Sequence, residues 1–180
     1  GLASLIQNRL GLPVYLHEAD NEQTGFLVES WPCGLVVEVG PVPQGLLHST
    51  VIEQTRLTLE VCLEQVAAVQ SGLGCFPNEL IVHRHVRSID FPRDSDGKPS
   101  AFIHPYRRSK DWQTIKKGDP LFLKLDGGVI SFDEDASLVP VFINEAAYSE
   151  KKIAMIYTQR EVWKFSKNWE IALGNLIKNQ

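Results

Sequence analysis

The run Leu35-Val36-Val37-Glu38-Val39-Gly40-Pro41-Val42-Pro43-Gln44-Gly45 decides how this chain is read. It opens as a β-branched apolar stretch, the composition of a strand buried in a parallel sheet. It closes in Gly-Pro-Val-Pro-Gln-Gly, where the prolines remove backbone donors and force a turn. Glu38 stands where the run is about to stop. Burying an unpaired carboxylate costs several kcal/mol, so a Glu here has two readings. It pairs with a Lys or Arg at the strand end, or it sits at the carboxyl end of a sheet strand, where open α/β sheets bind ligands. In the second position a carboxyl group is placed to move protons near neutral pH.

The flanking sequence extends the α/β pattern. Ser49 or Thr50 is the expected N-cap of a long helix, with Glu53 in its first turn. Val51, Ile52, Thr55, Leu59, Cys62, Leu63, Val66 and Val69 form its apolar stripe, and Ser71-Gly72 ends it. Strand, turn and long helix make the unit of a parallel sheet. Upstream, Leu2, Leu5, Ile6 and Leu10 have helical spacing, and Gly11 is a stop. Val14-Tyr15-Leu16 and Phe26-Leu27-Val28 read as short strands, and Trp31-Pro32-Cys33-Gly34 as a turn.

Beyond Gly72 to Pro77 the pattern changes. Leu80 to Val86 alternates, and short apolar runs follow at 100–103, 121–125, 129–132 and 138–143. Asp126-Gly127 between two of them is a hairpin signal. This spacing predicts a small antiparallel β domain. From about Arg160, the spacing of Val162, Phe165, Trp169, Leu173 and Leu176 predicts an amphipathic helix. The expected domains are an α/β part over 1–74 and a β-rich part with a terminal helix over 75–180.

With 180 residues the chain can bury a sizeable core. A net charge of −4 argues against a nucleic-acid binder that relies on neutralising phosphates. Cys33, Cys62 and Cys75 are odd in number and lack metal-binding spacing, which predicts reduced thiols and a cytoplasmic setting. No apolar run approaches the ~20 residues of a membrane span, and no signal peptide is visible. The chain opens without Met, inside an expected helix, and reads as part of a longer product.

The segment Glu38-Val39-Gly40-Pro41-x-Pro43-Gln44-Gly45 resembles a motif of the aspartoacylases, zinc enzymes that hydrolyse N-acyl aspartate. Two further stretches match in order. The first runs from Asp90-Phe91-Pro92-Arg93-Asp94 through Ile103-His104-Pro105 and Asp111-Trp112 to Gly118-Asp119-Pro120. The second is Pro140-Val141-Phe142-Ile143-Asn144-Glu145-Ala146-Ala147-Tyr148, followed by Lys151. The resemblance implies the C-terminal part of a zinc-carboxypeptidase-like α/β domain followed by the β domain. It makes Glu38 the general base and acid, Tyr148 and Glu145 substrate-facing groups, and Lys151 an attractor of anionic substrate.

The resemblance implies zinc, held by a His-x-x-Glu pair and a later His that precede the catalytic Glu. No His-x-x-Glu occurs here, so the ligands are expected in an absent N-terminal portion, and 1–180 alone is expected to be inactive. His83 and His85 share one face of an alternating strand, and a structural role is expected for them. His17-Glu18-Ala19-Asp20 follows a strand at a place where the family has no ligand. The family's upstream Tyr and its carboxylate-gripping Arg correspond to Thr24 and Val28, which cannot replace a guanidinium. Specificity for N-acyl aspartate is therefore open, and a related N-acyl amino acid is the wider expectation. A homodimer, with no nucleic-acid or membrane partner, completes the expected picture. The rival reading is a non-catalytic module that serves assembly or interaction.

Overall fold

A computed structural model of the chain describes residues 1–17, 28, 34–40, 42–43 and 45–178. They divide into two compact units. The first comprises Gly1–Val14, Ala19–Ile81 and Val162–Gln180; the second comprises Tyr15–Glu18 and Val82–Glu161.

The first unit is mainly helical. Helix α1 (Leu2–Leu10) ends at Gly11, whose φ of 68° is the left-handed conformation that glycine adopts without a Cβ clash. Helix α2 (Ser49–Gln70) is the long helix the stripe predicts, although its N-cap is His48, which makes no capping side-chain bond. Helix α3 (Lys167–Lys178) closes the unit. Leu5, Val69 and Leu173 form its core, with Leu2, Phe76 and Ile177 packed around them. The Gln7 carboxamide is fixed at both ends. It donates to the Ile81 carbonyl at 2.9 Å and accepts from the Ile81 N–H at 2.8 Å.

Three expectations for this unit need correction. Residues 34–40 form no regular strand, and Glu38 is exposed rather than buried. Leu35, Val36 and Val37 are likewise exposed, because among the described residues no strand pairs with them. On α2 the buried positions are Val61 and Val69, while Ile52, Leu57, Leu59 and Leu63 of its apolar surface lie open. The tail is a helix only from Lys167. Val162 belongs to a strand that continues to Lys164, as the β-forming pairs Tyr157-Thr158 and Val162-Trp163 favour. Ser166 then starts the helix, its carbonyl accepting from the Trp169 N–H at 2.9 Å. The expected strand residues Phe26 and Leu27 and the turn at 31–33 lie outside the described residues. Val28 is described and is not in a strand.

The second unit is β-rich, as the short turn-separated runs predict. The strands of the chain are β1 (Val14–Leu16), β2 (Glu79–Ile89), β3 (Ala101–Ile103), β4 (Pro120–Lys124), β5 (Val129–Ser131), β6 (Val139–Val141) and β7 (Met155–Lys164). They form a four-stranded sheet in the order β1-β2-β7-β6 and a three-stranded sheet in the order β3-β4-β5. Pairings β3/β4, β4/β5 and β6/β7 are antiparallel. The β4–β5 hairpin turns at Gly127, whose φ is 87°, and the Asp126 carboxylate accepts from the Gly128 N–H at 2.8 Å. Ile103, Ile115, Phe122, Phe132, Met155 and Tyr157 lead the buried core.

The sequence Asp90-Phe91-Pro92-Arg93-Asp94 is a loop clamp here. Asp90 accepts from Arg93 Nε at 2.6 Å and Nη2 at 2.9 Å, and Arg93 Nη1 donates to the Gly97 carbonyl at 2.7 Å. Asp94 accepts from the N–H groups of Asp96 and Lys98. The guanidinium beside it holds the Asp90 carboxyl below its ordinary range. These contacts give the motif a folding role close to the site described next.

Candidate active site

The candidate site of the second unit is built on the segment between β6 and β7. Residues Ala146–Tyr148 form a 3-10 turn that starts at Glu145. Glu145 and Lys151 are exposed and Tyr148 is half-buried. The Lys151 N–H donates to the Tyr148 carbonyl at 3.1 Å, and its ammonium stands 5.8 Å from the Tyr148 ring centroid. Glu145, Tyr148 and Lys151, named together from one resembling stretch, thus lie at the start, the end and just beyond this turn. Glu38 belongs to the first unit.

The backbone leading into this turn is strained. Phe142 has φ 52° and Asn144 φ 60°, and the adjoining 109–112 segment holds Ser109 at 54° and Trp112 at 65°. A residue with a side chain pays about 1–3 kcal/mol for such a conformation, and it persists only where its surroundings impose it. Those surroundings are visible. The Ile143 N–H donates to Asp111 Oδ1 at 3.0 Å, the Asn144 N–H to the Ala154 carbonyl at 2.8 Å, and the Trp112 N–H to the Pro140 carbonyl at 3.0 Å. The Phe142 and Trp112 rings meet edge to face at 6.1 Å.

Tyr148 packs into an aromatic and imidazole cluster that sequence reasoning did not assemble. Phe142 contacts Tyr148 at 5.8 Å and Tyr15 at 5.2 Å between ring centroids, both edge to face. The Tyr15 hydroxyl lies 2.9 Å from His85 Nδ1, and the His17 and His85 rings are 4.7 Å apart. Burial, with a smaller contribution from Tyr148, pushes the Tyr15 phenol well above its ordinary pKa, so it stays neutral and able to donate. His83 is buried against Trp112 at 5.1 Å, and burial followed by Arg160 lowers its pKa. The signal for this cluster was the alternation His83-Arg84-His85, which places both imidazoles on one face. What β1 and Trp112 add is set by tertiary contact, which spacing does not encode.

Among the described residues no group of three or more His, Cys, Asp or Glu side chains could hold a metal ion. The described residues therefore do not fit the zinc that the family resemblance implies. Glu18, Asp20, Thr24 and Cys33 lie outside the described residues, so the His17-Glu18-Ala19-Asp20 stretch is described only at His17. Cys62 and Cys75 are free thiols, and burial raises the Cys62 pKa. No described helix is long and apolar enough to cross a membrane.

Residues 78–160 match the family described as the AstE/AspA barrel-sandwich hybrid domain. A protein of Prochlorococcus marinus strain NATL1A named probable aspartoacylase is 62% identical over 176 residues, 98% of this chain. One so named from Synechococcus sp. strain CC9605 is 53% identical over 176 residues. The chain is similar to these aspartoacylases along nearly its whole length. It spans 58% of the length of these relatives. Among solved structures it is similar to murine aminoacylase 3, with a TM-score of 0.77 at 30% identity over 90% of this chain and 55% of that one. A mutant of the same murine enzyme gives a TM-score of 0.80 at 28% identity, over 90% of this chain and 54% of that one.

Proposed function

We propose that this chain is part of an N-acyl amino acid deacylase. The observation that carries the reading is 62% identity to a probable aspartoacylase along 98% of the chain. The substrate would be an N-acyl amino acid, and the products the free amino acid and a carboxylic acid. In this proposal Glu38 takes a proton from the attacking water and returns it to the amide nitrogen as the C–N bond breaks. Tyr148 donates a hydrogen bond to the oxyanion that develops on the carbonyl oxygen. Its packing on Phe142, itself held edge to face by Tyr15, favours a fixed hydroxyl position, which such a donor needs. Glu145 would order the polar groups around that hydroxyl, and Lys151 would draw in anionic substrate.

Zinc dependence of the full-length protein is part of the proposal, with ligands outside these 180 residues; no step above is routed through the metal. The test uses full-length protein and a panel of N-acyl amino acids. Glu38→Gln is expected to lower kcat by about 10² to 10⁴, and Tyr148→Phe by about 10². With Val28 and Thr24 where the family has its Arg and Tyr, N-acetylaspartate is expected to be no better a substrate than its neutral analogues. Metal-free full-length protein without turnover on any member of the panel would replace this reading with the non-catalytic module.

A further inference from the structure

The second unit carries a groove that the proposed deacylase chemistry does not use. Its volume is about 490 Å³, within the range of small-molecule sites. Phe91, Phe102 and Ile143 supply apolar walls, and Arg108, Ser109 and Asn144 stand among them. Phe102 is 59% exposed although both its neighbours on β3 are buried, so a large ring faces the groove uncovered. Arg108 makes no ion pair or side-chain hydrogen bond among the described residues, and no acidic residue lines the groove. A guanidinium that meets no carboxylate, beside exposed aromatic surface, is complementary to an anion with an apolar body. Ser109 and Asn144 are both held in the left-handed conformation, so strained backbone bounds the groove on two sides.

This groove is distinct from the Tyr148 cluster. Phe142 packs with Tyr148, whereas its neighbour Ile143 packs into the core that contains Ile103 and faces the groove. The two positions lie on opposite sides of one short segment, so Arg108 does not stand in for the family's carboxylate-gripping Arg at Tyr148.

We propose that this groove binds a small organic acid, its carboxylate on the Arg108 guanidinium and its apolar body on Phe102, Phe91 and Ile143. The inference stands on the groove alone and does not depend on the deacylase reading. Two sources share this chemistry, an N-acyl amino acid and a free carboxylic acid. The test titrates N-acetylphenylalanine, phenylacetate and uncharged benzyl alcohol into the full chain labelled at isoleucine δ1 methyls. Saturable shifts of Ile143 and Ile103 by either acid, weakened about tenfold in Arg108→Gln, are expected. Phe102→Ser is expected to weaken both acids as well. Both altered side chains are exposed, so unchanged methyl resonances elsewhere report an intact fold. Tighter binding of one acid identifies the source. Non-saturable shifts, equal affinity in Arg108→Gln, or benzyl alcohol binding as well as phenylacetate would overturn the proposal.

Discussion

His83 shows how one residue ties the second unit's stability to pH. It is 6% exposed, its ring against Trp112 and its Nδ1 3.5 Å from the Thr158 hydroxyl. That hydroxyl has a single hydrogen, which it donates to the Val139 carbonyl at 2.8 Å, leaving its oxygen to face the imidazole. Burial and Arg160 lower the folded-state pKa below the ordinary imidazole value of 6.5. As pH falls through 6.5 the unfolded chain takes up a proton that the folded chain refuses, so stability falls with pH there. It is full above that value and declines until the folded pKa is reached. The urea midpoint is therefore expected to drop between pH 7.5 and 5.5, and less so in His83→Gln. Equal drops in the two proteins would remove His83 as the cause. Asp90 acts in the same direction but only under much more acidic conditions, because its folded pKa lies below the carboxylate range.

The β6–β7 segment is the element on which both candidate sites rest. Asn144, at φ 60°, sits between the Ile143 anchor and the Glu145 turn. Asn tolerates the left-handed region better than most residues, and glycine better still. Asn144→Gly is expected to keep stability within about 1 kcal/mol. Asn144→Val is expected to lose about 1–3 kcal/mol, since a β-branched side chain clashes there. Chemical denaturation of the two variants measures the difference, and equal stabilities would show the segment to be unstrained. The motif Asn-Glu-Ala-Ala-Tyr was singled out as a candidate site by its resemblance to the family's segment, not by its residue types alone. That Phe142 and Asn144 must be left-handed was not legible, because the conformation is imposed by Asp111, Pro140 and Ala154 from other parts of the chain.

At the scale of the whole molecule, the two units differ in how completely they cover their apolar residues. The second buries a full core. The first leaves Leu47 at 96% exposure and Val36 at 68%, with Leu59 and Leu63 of α2 also open. Exposed apolar side chains of this kind are surface that a covering partner would bury. Residues 1–180 prepared alone are expected to bind the dye ANS more strongly than full-length protein does. Equal dye fluorescence would mean that this surface stays uncovered in the longer protein.

The amino-acid sequence by itself determined the class of each part. Hydrophobic spacing announced α1 and α2, turn residues announced the hairpin at Asp126-Gly127, and the family resemblance singled out Glu38, Glu145, Tyr148 and Lys151 as candidates. These are local signals, written in periods of two and 3.6 residues. The tertiary structure alone decided that 34–40 is not a strand, that the tail begins as β7, and that Phe142 links Tyr148 to Tyr15 and Trp112. A strand exists only where another strand meets its N–H and C=O groups, and a cluster only where distant segments pack together. Both conditions depend on partners remote in the chain, which spacing does not encode.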